Sequence, residues 1–325
     1  MYSYSELKEI VERVILNLSY NTEAPGLIDP VKYILSIGGK RIRPVMALMA
    51  CNIFTDKVDD AILPAAGLEV FHNFTLVHDD IMDQSSMRRN FPTVHIRWNI
   101  NQAILSGDIM AFIANECFMQ SPPGKLQKVF REFNKAAVEV CVGQQLDLDY
   151  EKASVITQDE YLRMIELKTA VLIAASLKIG AVIGCNGEKD PELLYDFGRN
   201  LGLAFQIQDD LLDIWGESRI FGKKSGGDIV ANKKTLPFIK AMGLASGKQI
   251  GQLQELFSDQ KIIDPEYKVT AVREIYESLG VREKTESLAN EYITRAFALL
   301  EKVSADNSRK KELIDLTSSL IGREF

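Results

Sequence analysis

The arrangement of apolar and polar positions is helical from end to end, and no run sustains the period-two alternation of a half-buried strand. Start signals recur along the chain. Asp29-Pro30, Asp190-Pro191 and Asp264-Pro265 each put an N-cap acceptor before a proline at the first helical position. Thr157 to Glu160 has the T-x-x-E form of a capping box. These signals predict helices near 4–19, 30–37, 43–54, 60–84, 99–119, 124–150, 158–183, 191–215, 235–257 with a break around Gly247, and 265–320 with breaks. The interruptions at Gly38-Gly39, Ser121–Gly124 and Gly222–Gly227 are short enough to be interhelical connections. No linker rich in Pro, Gly or Ser divides the chain, so one all-α domain spanning 1–325 is expected.

Composition narrows the class. The chain has 325 residues, 46% of them hydrophobic and 26% charged, which is enough to bury a sizeable core. A net charge of -7 argues against nucleic acid as the main partner. The four cysteines, Cys51, Cys117, Cys141 and Cys185, form no CxxC pair and predict a reduced, cytoplasmic chain without a disulfide framework. The polar stretch from Met1 through Glu12 is unlike a signal peptide. The most apolar segment, Ala170 to Gly184, contains Lys178 and is shorter than the roughly 20 residues that span a bilayer. A buried core helix is expected there, with no stable membrane insertion.

Two acidic triplets carry the candidate chemistry. The first reads His72-Asn-Phe-Thr-Leu-Val-His78-Asp79-Asp80-Ile-Met-Asp83. At about 100° per residue, Asp79 and Asp83 lie one turn apart on one face, and His72 falls within roughly 20° of the same line. The second reads Phe205-Gln206-Ile-Gln-Asp209-Asp210-Leu-Leu-Asp213, with Gln206, Asp209 and Asp213 on one face. Continuing that face backwards reaches Gly202 and Gly198, where the missing side chains leave room for a packed helix or a ligand. An acidic triplet is often only a solvated helix face. Both of these sit in apolar sequence, where unpaired carboxylates would be costly to bury. Clustered carboxylates without cysteine favour a hard cation, and magnesium commonly joins such groups to substrate phosphates.

Basic residues stand where the chain breaks. They are Lys40, Arg41 and Arg43 in Gly38-Gly39-Lys40-Arg41-Ile42-Arg43-Pro44, then Arg88-Arg89, then Lys223-Lys224 and Lys233-Lys234. Lys168-Thr169 lies within a long apolar helix, where a lysine needs a partner. Arginine offers phosphate a fork of donors and lysine a mobile point charge. The stretch Gly222–Gly227 has the composition of a lid.

Taken in order from GGKRIRP through LVHDDIMDQSSMRR, LKTA, FQIQDDLLD and GKKSGGDIVANKKT, the chain closely resembles the trans-isoprenyl diphosphate synthase (polyprenyl synthetase) family. The resemblance covers roughly residues 30–240 and implies an all-α isoprenoid-synthase helical bundle around a central cavity, usually a homodimer. It implies a short-chain prenyltransferase that joins isopentenyl diphosphate to dimethylallyl, geranyl or farnesyl diphosphate, giving geranylgeranyl or farnesyl diphosphate. Three Mg2+ ions per active site are implied, with Asp79, Asp83, Asp209 and Asp213 facing the metals and Asp80 and Asp210 supporting them. Lys40, Arg43, His72 and Arg89 resemble the isopentenyl diphosphate site. Arg88, Lys168, Thr169, Gln206, Lys223 and Lys233 resemble the allylic diphosphate site. His78, off the carboxylate stripe, is read as structural, and His95 as a loop residue.

In that family the residues before the first motif set product length. Phe74, five positions before Asp79, resembles the type that makes geranylgeranyl diphosphate, with Thr75 at the fourth position. An ideal helix puts Phe74 about 140° from Asp79, so Phe71 is a second candidate for the cavity floor, and ordinary packing suits both. Two alternatives are a terpene cyclase of the same fold and a non-catalytic subunit of a heteromeric synthase. The intact second motif speaks against the first, and the presence of both motifs against the second.

Overall fold

The computed structural model describes residues 1–18, 23–216, 226–258 and 263–322. Among these residues the elements are helices α1 (Tyr4–Leu16), α2 (Pro25–Ser36), α3 (Ile42–Phe54), α4 (Asp59–Met82), α5 (Val94–Arg97), α6 (Ile100–Met119), α7 (Pro123–Lys152), α8 (Gln158–Ile165), α9 (Val171–Gly184) and α10 (Lys189–Trp215). They continue with α11 (Gly227–Val230), α12 (Leu236–Leu244), α13 (Gly247–Leu256), α14 (Pro265–Ser278), α15 (Val281–Glu301) and α16 (Asn307–Ile321). A π-helical turn, Glu166–Ala170, joins α8 to α9. The described strands are the two-residue β1 (Met87–Arg88) and β2 (Phe91–Pro92), paired antiparallel. The all-helical expectation holds.

The chain forms two compact units, each assembled from separate stretches. Unit 1 comprises Met1–Lys135, Ala175–Tyr195 and Val303–Ile314. Its centre is α3, buried from Pro44 to Ile53, with α4 packed against it and α6 against α4. Glycines allow close approach at two points: a Cβ at Gly184 would fall 2.7 Å from the Cys51 carbonyl oxygen, and one at Gly67 2.9 Å from Cys117 Cβ. Unit 2 comprises Ala136–Ala174, Asp196–Lys302 and Asp315–Phe325. One of its apolar clusters joins Tyr161, Met164 and Ile165 of α8 to Leu203 and Ile207 of α10, Leu236 of α12 and Ala289 of α15. A second gathers Ile214, Phe238, Leu253, Val272 and Tyr276.

Local signals account for most boundaries. Ser3 with Glu6 and Thr157 with Glu160 close reciprocal capping boxes, and Asp264 caps Tyr267 N–H at 2.9 Å. Three expectations need correction. Helix α2 starts at Pro25, whose fixed φ suits a first position, and Pro30 lies inside it. Helix α10 starts at Lys189, and the Asp190 carboxylate accepts from Ser304 N–H at 2.9 Å. The helix expected over 158–183 is interrupted by the π-turn, which no feature of an uninterrupted apolar run announces. The helical run Gln158–Gly184 is apolar enough to cross a bilayer by composition, but 72% of its most apolar window is buried in the fold. Lys178 within it pairs with Glu132 at 2.9 Å and Glu192 at 2.8 Å, which offsets its burial.

Candidate active site

In unit 1 the first acidic motif closes α4. Asp79 is half-buried, Asp80 is buried and Asp83 is the exposed C-cap residue. Immediately after it the chain turns back through the β1–β2 hairpin, whose two-residue loop is Arg89-Asn90. Both loop residues take the positive φ that such a tight turn demands, 51° and 66°. The hairpin returns Arg88 to the motif, where its Nε and Nη2 each donate to Asp80 at 2.7 Å, with Asp79 3.9 Å away. Burial opposes the Arg88 charge, but the Asp80 bonds and the nearby carboxylates more than offset it and hold its pKa above the ordinary value. The middle carboxylate is thus committed to Arg88.

Next to this lies a group of cations. Arg43 Nη1 meets His72 Nε2 at 3.1 Å, and Arg89 Nη1 donates to the Gly38 carbonyl. A guanidinium can only donate, so His72 Nε2 accepts and its proton sits on Nδ1. Burial first, then Arg43, Arg89, Arg88 and Arg41, push the His72 pKa well below its usual value. Burial, opposed by Glu69 and reinforced by Arg89, lowers Arg43 to about 10. Lys40 adjoins this group in sequence, and its carbonyl accepts from Tyr4 Oη at 2.6 Å.

In unit 2 the π-turn carries Lys168 and Thr169. Such turns insert one extra residue into a helix and re-aim the side chains they carry. Gly143 of α7 makes the fit possible, because a Cβ there would lie 2.7 Å from Lys168 Cα. Lys168 Nζ reaches Asp147 Oδ2 of the same helix at 2.5 Å. Thr169 Oγ1 donates to Gln206 Oε1 at 3.1 Å, Gln206 Nε2 to Asp210 Oδ1 at 3.2 Å, and Tyr161 Oη to Asp210 Oδ2 at 2.6 Å. Burial raises Asp210 to about 8, with Asp228 adding to the shift and the Tyr161 and Gln206 bonds opposing it. Asp213 accepts from the N–H groups of Gly227 at 3.2 Å and Asp228 at 3.0 Å. A cleft of about 120 Å³ is lined by Asp147, Lys168, Gln206, Asp228, Lys233 and Lys234, among others.

The residues expected at a diphosphate site therefore gather in two groups, one in each unit. Gly202 resolves to packing, since a Cβ there would meet Ala170 Cα at 2.5 Å. Lys223 and most of the expected lid lie outside the described residues. His78 is a packing residue, its Nε2 3.1 Å from the Ile104 carbonyl and its ring against Phe74. His95 is on the short helix α5. Asp147, Tyr161, Glu69 and Asp228 were not singled out from sequence. Only Asp228 had a signal, its place in the GKKSGGDIVANKKT stretch.

The donor chemistry suits magnesium. Asp79, Asp83, Asp209 and Asp213 offer hard oxygen donors, and no three His, Cys, Asp or Glu side chains among the described residues converge as a protein-only cage. Magnesium typically takes one or two carboxylates and fills its shell with water and substrate phosphate.

An all-helical fold with two acidic motifs and clustered cations suits an enzyme acting on diphosphates. The polyprenyl synthetase family model matches residues 24–278, and the chain belongs to that family as a short-chain trans-prenyltransferase. It is 34% identical to a geranylgeranyl diphosphate synthase of Methanosarcina mazei over 317 residues, covering 97% of this chain and 95% of that one. It is 35% identical to a short chain isoprenyl diphosphate synthase of Methanothermobacter thermautotrophicus over 310 residues, 94% of this chain and 93% of that one. A crystal structure of a geranylgeranyl pyrophosphate synthetase from Pyrococcus horikoshii superposes with a TM-score of 0.91 at 33% identity, covering 99% of this chain and 98% of that one.

Proposed function

We propose that the chain condenses isopentenyl diphosphate with dimethylallyl, geranyl or farnesyl diphosphate to give geranylgeranyl or farnesyl diphosphate. One observation carries the reading. Arg43 Nη1 lies 3.1 Å from His72 Nε2, and burial first, then the charges of Arg43, Arg89, Arg88 and Arg41, depress the His72 pKa. Glu69 already pairs with Arg41 and Asp80 with Arg88, so the positive charge that a bound anion would offset is that of Arg43 and Arg89. Lys40, Arg43, His72 and Arg89 would hold isopentenyl diphosphate, with neutral His72 donating through Nδ1. Lys168, Thr169, Gln206 and Lys233, with Arg88 and Lys223, would hold the allylic diphosphate.

Asp79, Asp83, Asp209 and Asp213 would supply carboxylate oxygens to Mg2+, three ions per site by family resemblance. When bound, magnesium neutralises the allylic diphosphate and helps it leave. The residues themselves position and orient. Arg88 fixes Asp80, Tyr161 fixes Asp210, and Asp147 holds Lys168 in place. Phe71, Phe74 and Thr75 would limit product length. Phe71 packs on Phe74 at 5.4 Å and on Phe133 at 5.2 Å between ring centroids, a stiff aromatic group able to stop a growing chain.

We further propose a cytoplasmic homodimer in which the two units act as one domain. Helices α7, α9, α10 and α16 carry the chain from one unit into the other. Helix α6 leaves Leu105, Phe112 and Met119 exposed by 57%, 65% and 51% at seven-residue spacing, a seam suited to a second helix. The test of function is incubation of the purified chain with labelled isopentenyl diphosphate and each primer, with products resolved by chromatography. Elongation that needs magnesium is expected; none with any primer overturns the reading.

A further inference from the structure

Arg41 is an unusual residue to find at the start of a helix. It caps α3 with φ 52°, in the left-handed region, shortly after Gly38 and Gly39 at 82° and 142°. A non-glycine residue is strained there, so the surrounding contacts must hold it. Its side chain is buried at 3% exposure, with Nη1 2.8 Å from Glu69 Oε1 and Nη2 2.5 Å from the Leu35 carbonyl. Glu69, on α4 and 2% exposed, also accepts from Asn73 Nδ2 at 3.1 Å, and Asn73 binds the Glu69 carbonyl at 2.8 Å. Neither Arg41 Nε nor Asn73 Oδ1 finds a hydrogen-bond partner.

A buried ion pair with unfilled hydrogen bonds is a poor source of stability, because desolvating both charges offsets their attraction. Its geometry offers another role. Arg41 lies between Lys40 and Arg43 in sequence. Glu69 lies three residues before His72, on the neighbouring face of the same helix. The pair therefore ties the loop to the helix that carries His72, and the Arg43–His72 contact makes a second tie one turn further on. The Arg89 bond to the Gly38 carbonyl ties the same loop to the β1–β2 hairpin. Without the buried anchor, a loop with glycines at two of its positions would sample other backbone conformations, Lys40 would move with it, and the first turn of α3 that carries Arg43 would lose its fixed start.

We propose that the Arg41–Glu69 ion pair, braced by Asn73, is a positioning device that fixes the Gly38–Arg41 loop and the first turn of α3, which carries Arg43, for the diphosphate of the isoprenyl donor. This rests on the reading that Lys40, Arg43, His72 and Arg89 take isopentenyl diphosphate. Arg41 and Glu69 are positioning residues and do not themselves meet the substrate.

The test is steady-state kinetics in both substrates on three variants. The double variant Arg41→Met/Glu69→Met removes both charges at similar volume, so no lone charge is left buried. Its melting temperature is expected to stay near that of the unaltered protein. Its KM for isopentenyl diphosphate is expected to rise about tenfold or more, while kcat and the KM for the allylic primer change much less. An unchanged KM for isopentenyl diphosphate in the folded double variant, or an equal rise in both KM values, overturns the proposal. Glu69→Gln keeps the side-chain volume and one acceptor oxygen, and gives an independent reading if the double variant does not fold. A selective rise of about threefold or more supports the proposal, and no rise overturns it. Lys40→Ala tests the underlying assignment. If its KM for isopentenyl diphosphate is unchanged, the site reading fails and the proposal with it. If Lys40→Ala raises that KM and the Met pair does not, the positioning role alone fails.

Discussion

Lys168 and Asp147 form an ion pair at 2.5 Å that ties the π-turn to α7. The pair is largely shielded, with side-chain exposures of 26% and 18%. Removing one partner leaves the other charge short of solvation. Asp147→Ala and Lys168→Ala should therefore couple, with a double-mutant-cycle energy of about 1–2 kcal/mol in urea denaturation. Additive effects would show that the pair is incidental.

Tyr161→Phe keeps the aromatic packing and removes the hydroxyl that donates to Asp210 at 2.6 Å. Asp210 is buried, so the lost bond should cost about 1–3 kcal/mol in chemical denaturation. The elongation rate should fall with it, because Asp210 also meets Gln206. A variant as stable and active as the parent would remove Tyr161 from the account.

These two contacts mark the boundary of what the sequence made legible. Caps at Thr157 and Asp264 are local, so residue type and short spacing reveal them. The acidic motifs were legible for the same reason, since one helical turn aligns Asp79 with Asp83. The partners of Lys168 and Asp210 stand 21 and 49 residues away, and no periodicity connects them. The π-turn was hidden because an apolar run looks the same whether its hydrogen bonds span four residues or five. Gly202 was ambiguous until its contact with Ala170 showed helix packing, and a groove at that point was the reading it displaced.

Phe74→Ala should lengthen the product. Phe74 sits in an aromatic group with Phe71 and His78, at ring distances of 5.4 Å and 4.9 Å, and deleting its ring opens space along α4. Chromatography of the products should show a shift of one or more isoprene units. Unchanged products would move the floor to Phe71.

His72 should impose acid sensitivity. Its folded pKa lies well below the unfolded value of about 6.5, so the unfolded chain binds more protons between the two. Stability is therefore full above about pH 6.5 and falls as pH drops through that window, by up to about 1.4 kcal/mol per pH unit. Denaturation midpoints from pH 7 to 5 should show this slope, and His72→Gln should flatten it. An equal slope in both proteins would mean that other groups cause it.

In the proposed reaction both acidic motifs work through magnesium to release an allylic diphosphate. Its most direct test is the rate of isopentenyl diphosphate incorporation as a function of Mg2+ concentration in the unaltered chain, Asp79→Asn and Asp209→Asn. The unaltered chain should be inactive without the metal and saturate with it, and each variant should lose about 100-fold or more at any Mg2+ concentration while remaining folded. Parental rates in either folded variant, or full activity in a chelator, would contradict the account.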